Sequence, residues 1–416
     1  MEKYMINGGR KLSGKITIQS AKNSVLPIMA GALLTDEQVV IKNCPKIKDV
    51  MSMLNILSHI GCKWQFEGDN LIINSLTADK YVVPKELANE MRSSIFMLGA
   101  LICRFKKAKI YAPGGCNIGL RPIDLHIKSL KKLGVNVSEV QGQIFCSASS
   151  LVGKDIYLDF PSVGATENII LASVLAKGKT QIFNSAKEPE IVDLMNYLNS
   201  MGAKIYGAGT STILIEGVDR LHGTEYTPIP DRIECGTFLL ATAITGGEIE
   251  IHNCNAKNIS VLIHKLCDNT CKITTNNDII YLKNKLMSKS FSFSTGPYPL
   301  FPTDLQAQTM ALLSVSSGKS VVVENVFEKR FSHVSSLIDM GANISVKGKR
   351  AYISGVNRLN GTQVYASDLR GGAALVLAGL NAEGQTIVNN ISHIERGYFE
   401  FEKKLSSLGA DIKKIY

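Results

Sequence analysis

With 416 residues, 45% of them hydrophobic, and a formal net charge of +10, the chain can build two or three cored domains and favours acidic partners. The basic residues are spread along it with only one Trp, so charge alone does not choose between nucleic acid, membrane and small polyanions. No apolar run is long enough to span a bilayer, the first residues lack the apolar stretch of a secretory leader, and nine cysteines show no paired spacing; the expectation is a reduced, cytoplasmic protein without membrane insertion.

In chain order, one unit recurs. A Leu-x-x-x-Gly element closes an amphipathic helix at Leu57–Gly61, Leu130–Gly134, Leu198–Gly202, Leu337–Gly341 and Leu405–Gly409, with a degenerate copy at Leu266–Thr270. The successive spacings are 73, 68, 68, 71 and 68 residues. Each glycine suits a helix C-cap, and a strand starts just after it. Ahead of each closing helix stands an apolar one: Ser24–Leu34, Ser93–Cys103, Thr166–Ala176, Gly236–Thr245, Leu305–Ser316 and Gly372–Ala382. These lack a polar face and belong inside, whereas the second helices have one and cover the outside. A short strand such as Thr180–Asn184 follows each apolar helix. The unit therefore reads strand–helix–strand–helix–strand–strand, with buried helices surrounded by sheets. Pro228-Ile229-Pro230 is a stiff break at the midpoint, so the six units form two similar α/β domains of three units each.

Polar residues gather at the helix starts. Lys22-Asn23, Arg92, Ser162-Val163-Gly164, Asp231-Arg232, Thr303-Asp304 and Asp368-Leu369-Arg370 precede or open the apolar helices. The second helices are expected to open with Cys116 to Asp124, Glu188 to Glu190, Phe327 to Arg330 and Glu395-Arg396. Helix N-termini bind anions through unpaired N–H groups and a partial positive charge. Ser162, Asp231 and Asp368 also suit plain N-caps. An arginine there opposes the dipole, so Arg92, Arg232, Arg330, Arg370 and Arg396 need another reason, and a bound polyanion supplies one. Pro113-Gly114-Gly115-Cys116-Asn117-Ile118-Gly119 reads as a Gly-rich mobile loop carrying a thiol, with Arg121 and His126 near it to favour a thiolate, and Pro122 fits the first turn of the helix that follows. His252, Cys254, His264, Cys267 and Cys271 fit no zinc spacing, and neither a Walker A element nor a dinucleotide fingerprint is present, so no metal and no nucleotide cofactor is expected.

Taken together, Lys22-Asn23, Pro113-Gly-Gly-Cys116, Arg121-Pro-Ile-Asp-Leu-His126, Ser162-Val-Gly164, Phe301-Pro-Thr-Asp304 and Asp368-Leu-Arg370 resemble the UDP-N-acetylglucosamine enolpyruvyl transferases, from about Met1 to Tyr416. The resemblance implies an inside-out α/β barrel pair: residues 21–229 form one domain carrying the Cys116 loop, residues 1–20 and 230–416 the other, and the active site lies in the interdomain cleft. It implies phosphoenolpyruvate and UDP-N-acetylglucosamine as substrates, phosphate release, the first committed step of peptidoglycan precursor synthesis, no cofactor, and fosfomycin as a covalent inhibitor at Cys116. Cys116 is implied as the proton donor and Asp304 as the base. Lys22, Arg121 and Arg396 would hold phosphate, with Arg330 and Arg370 facing the anionic substrate and Asp368 beside them. Asn23, Arg92, Arg121, Pro122, Ile123, Asp124, Leu125, Ser162, Val163, Gly164, Asp304 and Val326 match nucleotide-sugar contacts, and Glu188 and Asp231 match acidic residues near the cleft. Ser20, Phe160-Pro161 and Leu300 depart from the family pattern. Two alternatives stay open. One is an enolpyruvyl transferase with another acceptor such as shikimate 3-phosphate, against which the Cys116 loop counts. The other is a non-catalytic anion- or nucleic-acid-binding protein, against which the helix-start placement of the cations counts.

Overall fold

Local sequence carries the element order. In the computed structural model, which describes residues 2–111, 118–119, 123–269, 271–284 and 289–416, thirteen α-helices and six four-stranded sheets are present among the described residues. Chain contacts divide it into two compact units. A terminal unit holds Met1–Gln19, Asn117–Leu120 and Pro230–Tyr416, and a central unit holds Ser20–Cys116 and Arg121–Ile229.

The helices without a polar face are the buried ones. All nine residues of Gln306–Ser314 are buried, as are nine of the ten in Lys22–Gly31. In contrast, only Leu262 and Leu266 are buried in the covering helix Ser260–Asp268, whose other positions are polar or half-exposed. Three such buried helices pack together in each unit: Lys22–Gly31, Phe96–Phe105 and Val163–Ser173 in the central one, and Arg232–Thr245, Gln306–Ser314 and Leu369–Asn381 in the terminal one. Gly99 lets two of them approach, since a Cβ there would lie 2.5 Å from the Asn168 carbonyl oxygen. In the terminal core, Phe238 packs edge-on against Phe401 at 5.8 Å. Truncating Phe238 to Ala would cost about 3–5 kcal/mol.

Each closing glycine does its expected work. Gly61, Gly134, Gly202, Gly341 and Gly409 take φ between 93° and 107°, where a side chain would be strained, and stop their helices. In the degenerate copy the helix ends at Asp268 with Asn269 as its cap, and Thr270 lies outside the described residues.

Sheet strands alternate buried and outward positions, as in Lys179–Phe183, so each sheet turns one face to the helices. Not every sheet is made from one stretch of sequence. Ser13–Thr17 pairs in parallel with Glu248–His252, and Lys3–Asn7 lies between Gln385–Asn389 and Asp411–Ile415. In the central unit, Thr224–Tyr226 pairs with Val39–Ile41, so the last strand of that unit completes its first sheet. Buried Ser20, a departure from the family pattern, donates from Oγ to the Pro228 carbonyl at 3.4 Å. Cys235 and Cys254 are disulfide-bonded, which corrects the expectation of unpaired cysteines: residues 19 apart in sequence meet because the strand Glu248–His252 returns beside the first turn of Arg232–Thr245. No helix among the described residues is long and apolar enough to cross a membrane.

Candidate active site

In the terminal unit, the buried helix starts carry a charged cluster. Asp304 lies in the 3-10 turn Thr303–Leu305 that leads into Gln306–Ser314, with its side chain 29% exposed. Arg330 Nη2 donates to Asp304 Oδ1 at 2.7 Å, and Arg370 Nη2 donates to Oδ2 at 2.9 Å. Both arginine side chains are only 4% exposed. Each Asp304 carboxylate oxygen therefore already accepts from one guanidinium. The Thr303 carbonyl accepts from Arg330 Nε and Nη2, both at 3.3 Å, which fixes the plane of the guanidinium.

Asp368 caps Leu369–Asn381 by accepting from the Arg370 and Gly371 N–H groups, and its Oδ1 lies 3.7 Å from Arg330 Nη1. Burial opposes its charge, but Arg330, the Gly371 N–H, His333 and the Arg370 N–H together hold its carboxyl below the ordinary value. Burial pushes the neighbouring His333 down to about 4, so it adds no positive charge at neutral pH beside the two arginines. Val326 donates its N–H to Glu324 Oε1, which also receives the Phe327 N–H and so shapes the turn before Arg330.

These partners correct part of the sequence argument. Arg330 and Arg370 have internal acids that account for their positions, so a bound polyanion is not needed to explain them. Arg330 and Arg396 also stand in turns rather than first helical turns, because the covering helices start only at Val334 and Phe401. Arg232 does occupy the first position of its helix, with its guanidinium 5.6 Å from the Tyr298 ring centroid. Asp231 caps that helix through the Ile233 and Glu234 N–H groups.

The central unit arranges its helix starts with fewer charges. Lys22 is buried at the start of its helix and pairs with buried Asp49 at 2.7 Å, and half-buried Asn23 follows it. Arg92 begins the 3-10 turn Arg92–Ile95. Ser162 Oγ caps Val163–Ser173 by accepting from Ala165 N–H at 3.3 Å, with Val163 and Gly164 as the first helical residues. Ile123 is the N-cap of Asp124–Lys132, which places Asp124, Leu125 and His126 in its first turn. Glu188 precedes the helix Pro189–Ser200 as its N-cap.

Asn168 is a residue that the motif reading missed. Its Oδ1 accepts from Gly99 N–H at 2.7 Å, which fixes Nδ2 as the donor side. Nδ2 then donates to the Ile95 carbonyl at 3.0 Å and to His126 Nδ1 at 2.8 Å. One buried amide thereby ties the starts of three helices together and turns His126 inward, with its Nε2 left to carry the proton of the neutral ring. The only sequence signal was a polar run, Thr166-Glu167-Asn168, in a largely apolar helix.

Cys116, Arg121 and Pro122 lie outside the described residues. Of the loop between them, Ile118 is 3% exposed and its carbonyl accepts from Lys329 N–H at 3.0 Å. Gly119, at φ 125°, sits so close to Glu328 that a Cβ would lie 2.3 Å from Oε2. The other departures, Phe160 and Leu300, are exposed. Among the described residues no group of three His, Cys, Asp or Glu side chains is placed to hold a metal ion: His252 Nε2 contacts Glu250 at 2.6 Å, and Cys254 is in the disulfide. A hollow of about 670 Å³ on the central unit is lined by Tyr81, Lys107, Lys109, Lys131 and Phe145 among others, and none of the predicted site residues among the described ones lines it.

The chain matches the family of EPSP synthase (3-phosphoshikimate 1-carboxyvinyltransferase) over residues 6–405. It is 52% identical over 416 residues, the whole of both chains, to UDP-N-acetylglucosamine 1-carboxyvinyltransferase 2 of Caldanaerobacter subterraneus subsp. tengcongensis. It is 48% identical over 421 residues, again covering both chains in full, to UDP-N-acetylglucosamine 1-carboxyvinyltransferase 1 of Clostridium perfringens. Among solved structures, the enolpyruvyl transferase NikO from Streptomyces tendae superposes with a TM-score of 0.87 at 24% identity, covering 99% of this chain and 98% of that one. EPSP synthase from Acinetobacter baumannii superposes with a TM-score of 0.78 at 16% identity over the full length of both chains. The solved structures establish the fold, the full-length identities are far closer, and on these grounds the chain belongs to the UDP-N-acetylglucosamine 1-carboxyvinyltransferase branch of the EPSP synthase family.

Proposed function

We propose that this protein transfers the enolpyruvyl group of phosphoenolpyruvate to the 3-hydroxyl of UDP-N-acetylglucosamine, releasing phosphate, as the cytoplasmic first committed step of peptidoglycan precursor synthesis. The observation that carries the reading is Asp304, a partly exposed carboxylate gripped by two buried guanidinium groups at a helix start, in a chain that matches its relatives end to end.

The chemistry follows in two steps. Asp304 takes the proton as the sugar hydroxyl oxygen bonds to C2 of the enol, while Cys116 delivers a proton to C3. The resulting tetrahedral intermediate then loses a proton from C3 and its C2–O bond to phosphate, which restores the double bond and frees phosphate. Lys22, Arg121 and Arg396 bind the phosphate, and Arg330 and Arg370 stabilise the anionic substrate with bidentate forks. Asn23, Arg92, Arg121 to Leu125, Ser162 to Gly164 and Val326 orient the nucleotide sugar. Fosfomycin, a phosphonate epoxide, is expected to alkylate Cys116.

Phosphate release from phosphoenolpyruvate tests the reading. Release is expected only when UDP-N-acetylglucosamine is present, and it is expected to survive EDTA because fixed cations serve the charge. Release with phosphoenolpyruvate alone, or only with shikimate 3-phosphate, would overturn it.

A further inference from the structure

Tyr398 lies beneath the charged cluster, 1% exposed, and belongs to none of the motifs that identify the family. Its ring supports the Arg370 guanidinium, whose carbon lies 5.4 Å from the ring centroid. Its hydroxyl is 2.8 Å from Thr237 Oγ1 and 3.2 Å from Gln308 Nε2. Directions can be assigned. Thr237 spends its one hydroxyl proton on the Ile233 carbonyl at 2.8 Å, so the Tyr398 O–H donates to Thr237 and its oxygen accepts from Gln308. Gln308 Nε2 in turn donates to the Asp304 carbonyl at 3.0 Å. The backbone N–H of Tyr398 closes the turn from Ile394 at 3.1 Å, the turn that carries Arg396.

We propose that Tyr398 is a positioning residue for the transfer reaction, locking the three buried helices of the terminal unit together so that Asp304, Arg370 and Arg396 hold a single geometry. Thr237 belongs to Arg232–Thr245, Gln308 to Gln306–Ser314 and Arg370 to Leu369–Asn381, so one side chain touches all three helices. A buried network whose donors and acceptors agree in direction is stiff, and reacting groups displaced by a fraction of an ångström lose much of their effect. The inference rests on the reading of Asp304, Arg370 and Arg396 as reacting groups.

Tyr398→Phe keeps the ring under Arg370 and removes the hydroxyl. The expected result is a fall of about 10-fold in kcat/KM for phosphoenolpyruvate, with KM for UDP-N-acetylglucosamine within about twofold of the parent and little change in the unfolding midpoint. Thr237→Val, which leaves Tyr398 whole but removes its partner, is expected to reproduce the loss. In a Thr237→Val background the added effect of Tyr398→Phe should shrink to less than about twofold, because both remove the same hydrogen bond. Parental kcat/KM in Tyr398→Phe, or the same fold loss in both backgrounds, would overturn the proposal. So would equal losses toward both substrates that track a lowered unfolding midpoint, since that marks a merely structural tyrosine. Parental turnover in Arg370→Lys itself would overturn the underlying reading of the site, and the positioning role with it.

Discussion

The two units solve the same packing problem with different chemistry. Each packs three buried helices together, and helix starts carry unpaired N–H groups that need partners. In the terminal unit those starts close on formal charges: Asp304 between Arg330 and Arg370, and Asp368 serving as cap and counter-ion. In the central unit the hub is a neutral amide, Asn168, bonded to Gly99, Ile95 and His126, while a Lys22–Asp49 pair stands at another helix start. The charged hub holds one carboxylate oxygen pair in a set direction. The neutral hub fixes backbone and ring positions instead. Similar scaffolds thus use different buried groups at their helix starts.

The largest effect expected from this contrast is catalytic. Asp304→Asn keeps the shape and removes the proton acceptor, so turnover should fall by roughly 10²–10⁴-fold while nucleotide-sugar binding, measured by calorimetry, persists. Turnover near the parent's would move the base role away from the charged hub.

Next comes stability. Arg330→Met strips a buried cation from Asp304 and Asp368, and breaking a buried pair on one side costs about 3–5 kcal/mol. Asn168→Leu removes the buried amide that Gly99, Ile95 and His126 bond to, at about 1–3 kcal/mol for such a loss. Urea unfolding should rank the two in that order, and a reversal would show that the neutral hub is the stronger of the two.

Per pH unit, the smallest effect is in pH dependence. His333 titrates near 6.5 when unfolded but about 4 in the fold, chiefly because it is buried. Between those values the unfolded chain binds a proton that the folded chain refuses. Stability from this group is therefore complete above about pH 6.5 and falls toward pH 4 by up to about 1.4 kcal/mol per pH unit. His333→Gln should flatten that part of the stability profile, and an unchanged slope would place its origin elsewhere.

Much of this was legible in advance, for local reasons. The Leu-x-x-x-Gly periodicity marks five helices because a left-handed C-cap is a property of a few adjacent residues, and glycine meets it wherever it stands. The buried helices announced themselves by having no polar face, and Ser162, Asp231 and Asp368 by their cap chemistry. Arg330 illustrates the opposite. Its placement near a covering helix was readable, but its acids, Asp304 and Asp368, lie 26 residues before it and 38 after it in sequence, counted from the numbering.

By itself, then, the sequence determined the repeat, the layers and the residues able to do chemistry, since propensity, periodicity and capping act over a few neighbours. Tertiary structure alone decided that Ser13–Thr17, Lys3–Asn7 and Thr224–Tyr226 complete sheets begun far away, that Cys235 meets Cys254, and that Asn168 and Tyr398 bind several helices at once. Those choices depend on which distant groups are desolvated together, and a hydrogen bond or ion pair between them takes on its weight only after water has been excluded from both.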